Sequence, residues 1–283
     1  MRHPLLAVFG IAVIESLSLA APLPDDALVD EGVQRLQQGD LDRALALFQR
    51  AEQSAPRDPR PHYLRGAALV QRHDSVGAVV AYRKAIALDG KLAEVHNELG
   101  TLLVEQGQVD QALAEYRSAV AAQPKLTEAW SNLGRLLLRR RDYAGAVAVY
   151  ENAVKNVPAD ADLRIDLSAA LRRLGRRAEA VAAAGEAVKI APEDPAAQLN
   201  LGLAEQAAGA LDNAAATLRR ATQLAPPLST AWWSLGLVER QRKRYDEAIA
   251  ALETAARLKP SAEVTNDLAK LRQLRTPSNK KEK

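Results

Sequence analysis

Positions 34 residues apart carry the same residue type along almost the whole chain. Gly32, Gly66, Gly100, Gly134, Ser168, Gly202 and Gly236 form one series, and Ala44, Ala78, Ala112, Ala146, Ala180, Ala214 and Ala248 a second. A third runs from Ala51 through Ala85, Ala119, Ala153, Ala187 and Ala221 to Ala255. The register holds without insertion or deletion, which a high alanine content alone does not produce. A fixed period of this length is the mark of a stacked repeat and constrains the fold more tightly than any local motif.

One period is clearest over 127–160. Trp130, Leu133, Gly134 and Leu137 fall at helical spacing on one face of a first helix. A turn is expected near Arg141-Asp142, where other periods carry Gly39-Asp40, Gly107-Gln108 or Gly209-Ala210. Ala146, Tyr150 and Ala153 then share a face of a second helix, which Pro158 stops because proline lacks the amide donor and clashes with the preceding turn. Prolines 56, 124, 192, 226 and 260 stand at the same place, and Gly90 replaces them once. Small residues such as Gly134 and Ala146 allow two helix axes to approach. Phe48, Tyr82, Tyr116, Tyr150, Leu218 and Leu252 fill the space beside them. A single hairpin cannot bury its apolar face, so each must stack on the next.

The pattern Trp130-x-x-Leu133-Gly134-x-x-Leu137 with Ala146, Tyr150, Ala153 and Pro158 resembles the tetratricopeptide repeat. The resemblance implies an all-α fold, a right-handed α-solenoid of seven helix-turn-helix units. Their bounds are 25–58, 59–92, 93–126, 127–160, 161–194, 195–228 and 229–262. A capping helix is expected over 263–275, its apolar stripe being Val264, Leu268, Leu271 and Leu274, and a disordered tail over 276–283. Repeat 5 departs from the pattern with Ser168 for glycine, Ala184 for the aromatic and Gly185 inside the second helix, so 178–190 is expected to be a weak point.

Residues 1–20 lie outside the period. Arg2, the apolar run Leu5–Ile14 and the small residues of Ser18-Leu19-Ala20 make a secretory signal pattern with cleavage expected after Ala20, leaving 21–24 as a linker. The run is shorter than the roughly 18–20 residues that span a bilayer. A periplasmic or secreted location follows, with no membrane association after cleavage. An N-terminal segment retained as a membrane anchor is the alternative. The absence of cysteine excludes thiolate metal sites and disulfides.

No catalytic constellation is visible, and the reading is non-enzymatic with no cofactor and no metal. His62 and His96 stand one repeat apart at the position of Trp130 and lack a third ligand, so they read as packing residues. The 38 basic and 35 acidic side chains nearly balance and aromatics are only 4%, which argues against nucleic acid as a partner. Function is therefore expected from surface: an adaptor or scaffold binding a protein or peptide, in a bacterial envelope assembly. A structural spacer or oligomer subunit is the alternative.

The family resemblance implies a concave wall built from the second, fifth, sixth, ninth, twelfth and thirteenth residues of each repeat. That maps an apolar zone onto Val29, Val33, Leu36, Tyr63, Ala67 and Val70, and a basic zone onto Arg135, Arg139, Arg172 and Arg173. A second apolar zone falls on Leu199, Leu203, Trp233 and Leu237. Trp233 and Tyr63 are candidate binding anchors, with core packing as the competing reading. The arginines are candidates for an acidic segment of a partner, with solvated helix ends as the competing reading. The carboxylate-gripping pattern of some members is not met. Asn132 is a usable sixth-position asparagine, but Asn97 and Thr101 precede it and Asp162 and Asp166 follow where lysine, asparagine and arginine are required.

Overall fold

The computed structural model describes residues 26–275. The expected signal segment, the 21–24 linker and the 276–283 tail lie outside the described residues. Among those described, fifteen α-helices follow one another in packed pairs and no strand occurs, so the all-α class read from the period is what the structure shows. The helices are α1 (Asp26–Gln37), α2 (Leu41–Ser54), α3 (Pro59–Gln71), α4 (Ser75–Leu88), α5 (Ala93–Glu105), α6 (Val109–Ala122), α7 (Thr127–Arg139) and α8 (Tyr143–Asn156). They continue as α9 (Ala161–Leu174), α10 (Arg177–Ile190), α11 (Pro195–Ala207), α12 (Leu211–Leu224), α13 (Ser229–Gln241), α14 (Tyr245–Leu258) and α15 (Ala262–Arg275).

The described residues divide into two compact units between Leu136 and Leu137, inside α7. In the first unit α1 packs on α2, α3 on α4 and α5 on α6, while α2 touches α3 and α4 touches α5. The second unit repeats this with the pairs α9–α10, α11–α12 and α13–α14, joined through α8–α9, α10–α11 and α12–α13, and α15 closes on α14.

Three sequence devices set each hairpin. The first is the small residue at the crossing. A Cβ added at Gly100 would lie 2.7 Å from Tyr116 Cε1, and one at Gly236 would lie 2.7 Å from Leu252 Cγ. The glycine is thus the socket for the next helix's large side chain. In repeat 5 both members change together. Ser168 and Ala184 are both fully buried, so the larger residue on one helix meets the smaller on the other.

The second device ends the first helix. Position 15 of every repeat takes the left-handed conformation, as Gly39, Gly107, Gly175 and Gly209 and also as His73, Arg141 and Lys243. The following amide reaches back to the carbonyl five residues earlier, as in Asp142 to Leu137 and Arg244 to Glu239, which satisfies carbonyls that the helix end would leave free. Asp40, Asp74 and Asp142 then cap the second helix with their side chains.

The third device ties the first helix of repeats 3 to 7 to the loop before it. The fourth residue of the repeat donates to the carbonyl of the helix-stopping residue six positions earlier: Trp130 to Pro124, Arg164 to Pro158, Gln198 to Pro192 and Trp232 to Pro226, at 2.8–2.9 Å. Chemically unlike side chains occupy this place because what it requires is an N–H at the end of a long arm.

His96 fills the same role with a consequence for pH. Its Nε2 lies 3.2 Å from Gly90 O and its Nδ1 2.6 Å from Glu115 Oε2. Both neighbours are acceptors, so only the doubly protonated ring meets both. The bond to Glu115, assisted by Gly90, outweighs burial and raises the imidazole above its ordinary 6.5. A raised folded pKa gives a contribution complete below the unfolded value and lost as pH rises through the folded one. His96→Gln keeps the donor, as Gln198 does in its repeat. It should shrink the loss of thermal stability between pH 5.5 and 8.5, and an unchanged slope would rule His96 out as its source.

The cap helix α15 buries Val264, Leu268 and Leu271 against Ala248, Ile249, Leu252 and Ala255. Leu274, expected in the same stripe, is 61% exposed, which shortens the buried face to three residues. In α10, a Cβ at Gly185 would meet nothing within 4 Å. Gly185→Ala should therefore stabilise the second unit by about 0.5–1 kcal/mol, since alanine loses less backbone entropy in a helix. Hydrogen exchange across 178–190 is the direct measure, and slower exchange in the variant is expected.

Candidate protein-binding surface

The first helices of the repeats carry the residues that the sequence assigns to a binding wall, and the structure separates them into packed and open ones. Val29, Val33 and Leu36 on α1 are buried, as part of the core. Ala67 and Val70 on α3 are half-buried, as are Leu199 and Leu203 on α11 and Leu237 on α13.

Tyr63 is a correction. It is 1% exposed, its ring stacked on Tyr82 at 5.9 Å, and its hydroxyl donates to Glu98 Oε1 at 3.2 Å. Tyr82 donates to the other oxygen of the same carboxylate. Burial, with Glu98 next, pushes both phenols well above their ordinary range. A side chain so enclosed anchors α3 to α4 and α5 and does not serve as an open contact.

Trp233 is also placed differently from the anchor reading. It is half-buried, packed against the core of the last repeat and α15, and its Nε1 donates to Asp267 Oδ2 at 3.0 Å. Arg240 holds the other oxygen of Asp267 at 3.5 Å. The packing reading applies here, with the cap helix as the neighbour. Sequence reasoning missed Asp267, although it stands 34 residues after Trp233, one full period on, because the cap was read only for its apolar stripe.

The arginines are open. Arg135 is exposed in the first unit; Arg139 and Arg173 are exposed in the second. None has a hydrogen-bonded or ion-paired side-chain partner among the described residues. Arg172 is half-buried, and its Nε is enclosed without a hydrogen-bond partner. Burial, with the charge of Arg173 next, lowers its guanidinium from the usual value.

The basic runs at Arg139–Arg141 and at Arg172-Arg173 with Arg176-Arg177 are legible in the sequence, with solvated helix ends as their competing reading; the third, Arg242–Arg244, was missed, as was the place all three share, the turns between first and second helices of the second unit. Arg139–Arg141 surround the α7–α8 turn, Arg173, Arg176 and Arg177 the α9–α10 turn, and Arg242–Arg244 the α13–α14 turn. Arg176 is paired with Glu179 and Glu151, and Arg242 with Asp212 and Glu239. The side chains of Arg141, Arg177, Lys243 and Arg244 are exposed and have no such partner among the described residues. Among the described residues no group of three His, Asp or Glu side chains could hold a metal ion, and no helix is long and apolar enough to cross a membrane.

Comparison with known proteins accounts for this architecture. One tetratricopeptide repeat model matches residues 29–93, 97–161 and 227–263, more than half of the chain, and a second matches 137–201. The chain belongs to the tetratricopeptide repeat family. Members of this family typically mediate protein–protein interactions, and neither matching model is that of an enzyme. No curated protein sequence matches the chain.

Among solved structures, the C-terminal part of a TPR repeat-containing protein from Cytophaga hutchinsonii is similar, with a TM-score of 0.66 at 14% identity over 85% of this chain and 99% of that one. YrrB, described as a TPR protein with an unusual peptide-binding site, gives a TM-score of 0.53 at 22% identity over 68% of this chain and 99% of its own. The Cut9–Hcn1 hetero-tetramer of the APC/C gives 0.57 at 17% identity over 90% of this chain and 50% of the matched one. At these identities the likeness concerns the fold of the TPR chain.

Proposed function

We propose that this TPR protein is a non-catalytic adaptor or scaffold that binds another polypeptide through its first-helix wall, in a bacterial envelope assembly. The observation that carries this is the division of labour among side chains. Aromatics such as Tyr63 and Trp233 are consumed in packing, while half-buried apolar side chains such as Val70 and Leu203 and the unpaired arginines remain as contact surface. The peptide-binding site of YrrB and the partnered Cut9–Hcn1 assembly support a polypeptide as the ligand. The envelope location rests on the signal pattern of residues 1–20, cleaved or retained as an anchor.

The test is affinity capture with the purified full chain from an extract of its own cell envelope. Wild type should retain a discrete partner that Val70→Lys or Leu203→Lys releases. Capture of nothing above background would end the adaptor reading. A second reading, contact through the outer face as a spacer or oligomer subunit, is favoured by one observation: Val76 and Val80 on α4 are 74% and 51% exposed. Loss of the partner, or of self-association, on Val76→Lys with Val80→Lys, and not on the wall substitutions, would replace the first reading with this one.

A further inference from the structure

The geometry points to a second contact surface, the edge formed by the turns between first and second helices in the second unit, as the docking site for an acidic polypeptide segment. The inference rests on the reading of this chain as a protein-binding array, and it adds where an acidic partner binds.

The argument begins with what stability alone would place at these turns. Position 15 of each repeat is left-handed, and four of the seven repeats use glycine there. A residue with a Cβ pays roughly 1 kcal/mol to adopt that conformation. The second unit nevertheless places Arg141 at φ 61° and Lys243 at φ 64°. The next position is the N-cap of the second helix, where aspartate caps α2, α4 and α8. Arg176 and Arg244 occupy it before α10 and α14, and neither makes a side-chain cap bond. A cation at a helix N-terminus also opposes the helix dipole. At Arg141, Lys243 and Arg244 the local rule favours glycine or aspartate and the chain carries an unpaired base, whereas Arg176 is held by Glu179 and Glu151. The chain as a whole is nearly balanced, with 38 basic against 35 acidic side chains, so general basicity does not explain the concentration. Equivalent turns of stacked hairpins share one edge. The α11–α12 turn, Ala208-Gly209-Ala210, is neutral, and the carboxylate of Asp212 just beyond it is paired with Arg242.

A polypeptide suits this edge better than a continuous anionic surface. Asp142, beside Arg141, and Asp246 and Glu247, just beyond Arg244, interrupt the basic positions, and a single flexible chain can turn its carboxylates away from them where a continuous sheet of phosphates cannot. Arg172, set back behind the tips and half-buried with its Nε unpaired, needs a directional acceptor that can enter. A carboxylate on a flexible chain can do so and can take a guanidinium in paired hydrogen bonds.

The test uses the purified full chain and a fluorescein-labelled deca-glutamate peptide, with binding read by anisotropy at about physiological salt. The edge variant combines Arg141→Gly, Arg177→Ala, Lys243→Gly and Arg244→Asn. It should bind at least tenfold more weakly while its melting temperature stays level or rises, because two strained residues and one poor cap have been relieved. A control that removes the same charge elsewhere, Arg57→Ala, Lys91→Ala, Arg117→Ala and Lys125→Ala, should bind like wild type. Equal loss in both variants would reduce the effect to net charge and overturn the proposal, as would failure of the wild type to bind the peptide. Edge-dependent binding of phosphatidylglycerol vesicles or single-stranded DNA in preference to the peptide would also overturn it. Such failures leave the adaptor reading intact if envelope capture still succeeds, whereas failed capture with intact peptide binding strikes that reading alone.

Discussion

Replacing Tyr116 with alanine lowers the stability of the first unit by about 3–5 kcal/mol, the range for deleting a buried aromatic side chain. Tyr116 is 3% exposed, and its ring edge fills the socket left by Gly100. Its hydroxyl also bonds Thr101 Oγ1 at 3.1 Å. Nothing nearby can collapse into the void without moving α5 against α6, so most of the cavity persists. Urea denaturation at fixed pH gives the magnitude, and hydrogen exchange in α5 and α6 shows where the loss falls.

The same pair supports a sharper statement. Gly100→Ser alone should destabilise by about 1–3 kcal/mol, because the new Cβ meets the Tyr116 ring. Added to Tyr116→Ala, however, Gly100→Ser should cost little, because the ring it would strike is gone. Repeat 5 already carries that combination as Ser168 and Ala184, both fully buried. The coupling in a double-mutant cycle should be about 1–3 kcal/mol and favourable. Additive losses would mean that the small and large residues are not partners in one socket.

That socket shows what the sequence makes legible. The glycine series and the aromatic series recur at one period, so their pairing, the hairpin and the stop at proline all follow from residues that repeat. What repeats only partly is harder to read. Position 15 was recognisable as a turn, yet the strain at Arg141 and Lys243 emerges only when Gly39, Gly107, Gly175 and Gly209 are seen to share one left-handed conformation. The place of Tyr63 in the repeat leaves an open wall and core packing as alternatives. The structure buries it because Tyr82 supplies a ring and Glu98, 35 residues on, supplies an acceptor. Trp233 likewise found Asp267, one period on in a cap helix whose polar residues the apolar stripe left unread. Contacts made by non-repeating residues on neighbouring helices lie beyond what periodicity specifies, and they decide which wall side chains remain open.

Glu98 is the other place where a single substitution should weigh heavily. Its carboxyl is enclosed and accepts from both Tyr63 and Tyr82, which are 1% and 0% exposed. Glu98→Ala leaves two buried hydroxyls without an acceptor, each costing about 1–3 kcal/mol, in addition to the space vacated. Burial outweighs the two phenol bonds and raises the carboxyl above its usual 4.5, with Glu94 adding to the rise. The folded protein therefore holds this proton more tightly than the unfolded chain does. Its contribution is complete below pH 4.5 and lost as pH rises through the folded value. Glu98→Gln keeps an acceptor for one phenol and an amide for the other and cannot ionise. Denaturation at pH 4.5 and pH 8 should find it close to wild type at the lower pH and at least as stable at the higher, with His96→Gln flattening what slope remains. A Glu98→Gln protein that loses as much as Glu98→Ala at both pH values would show that two acceptor oxygens, which the amide does not provide, are required to join the tyrosines.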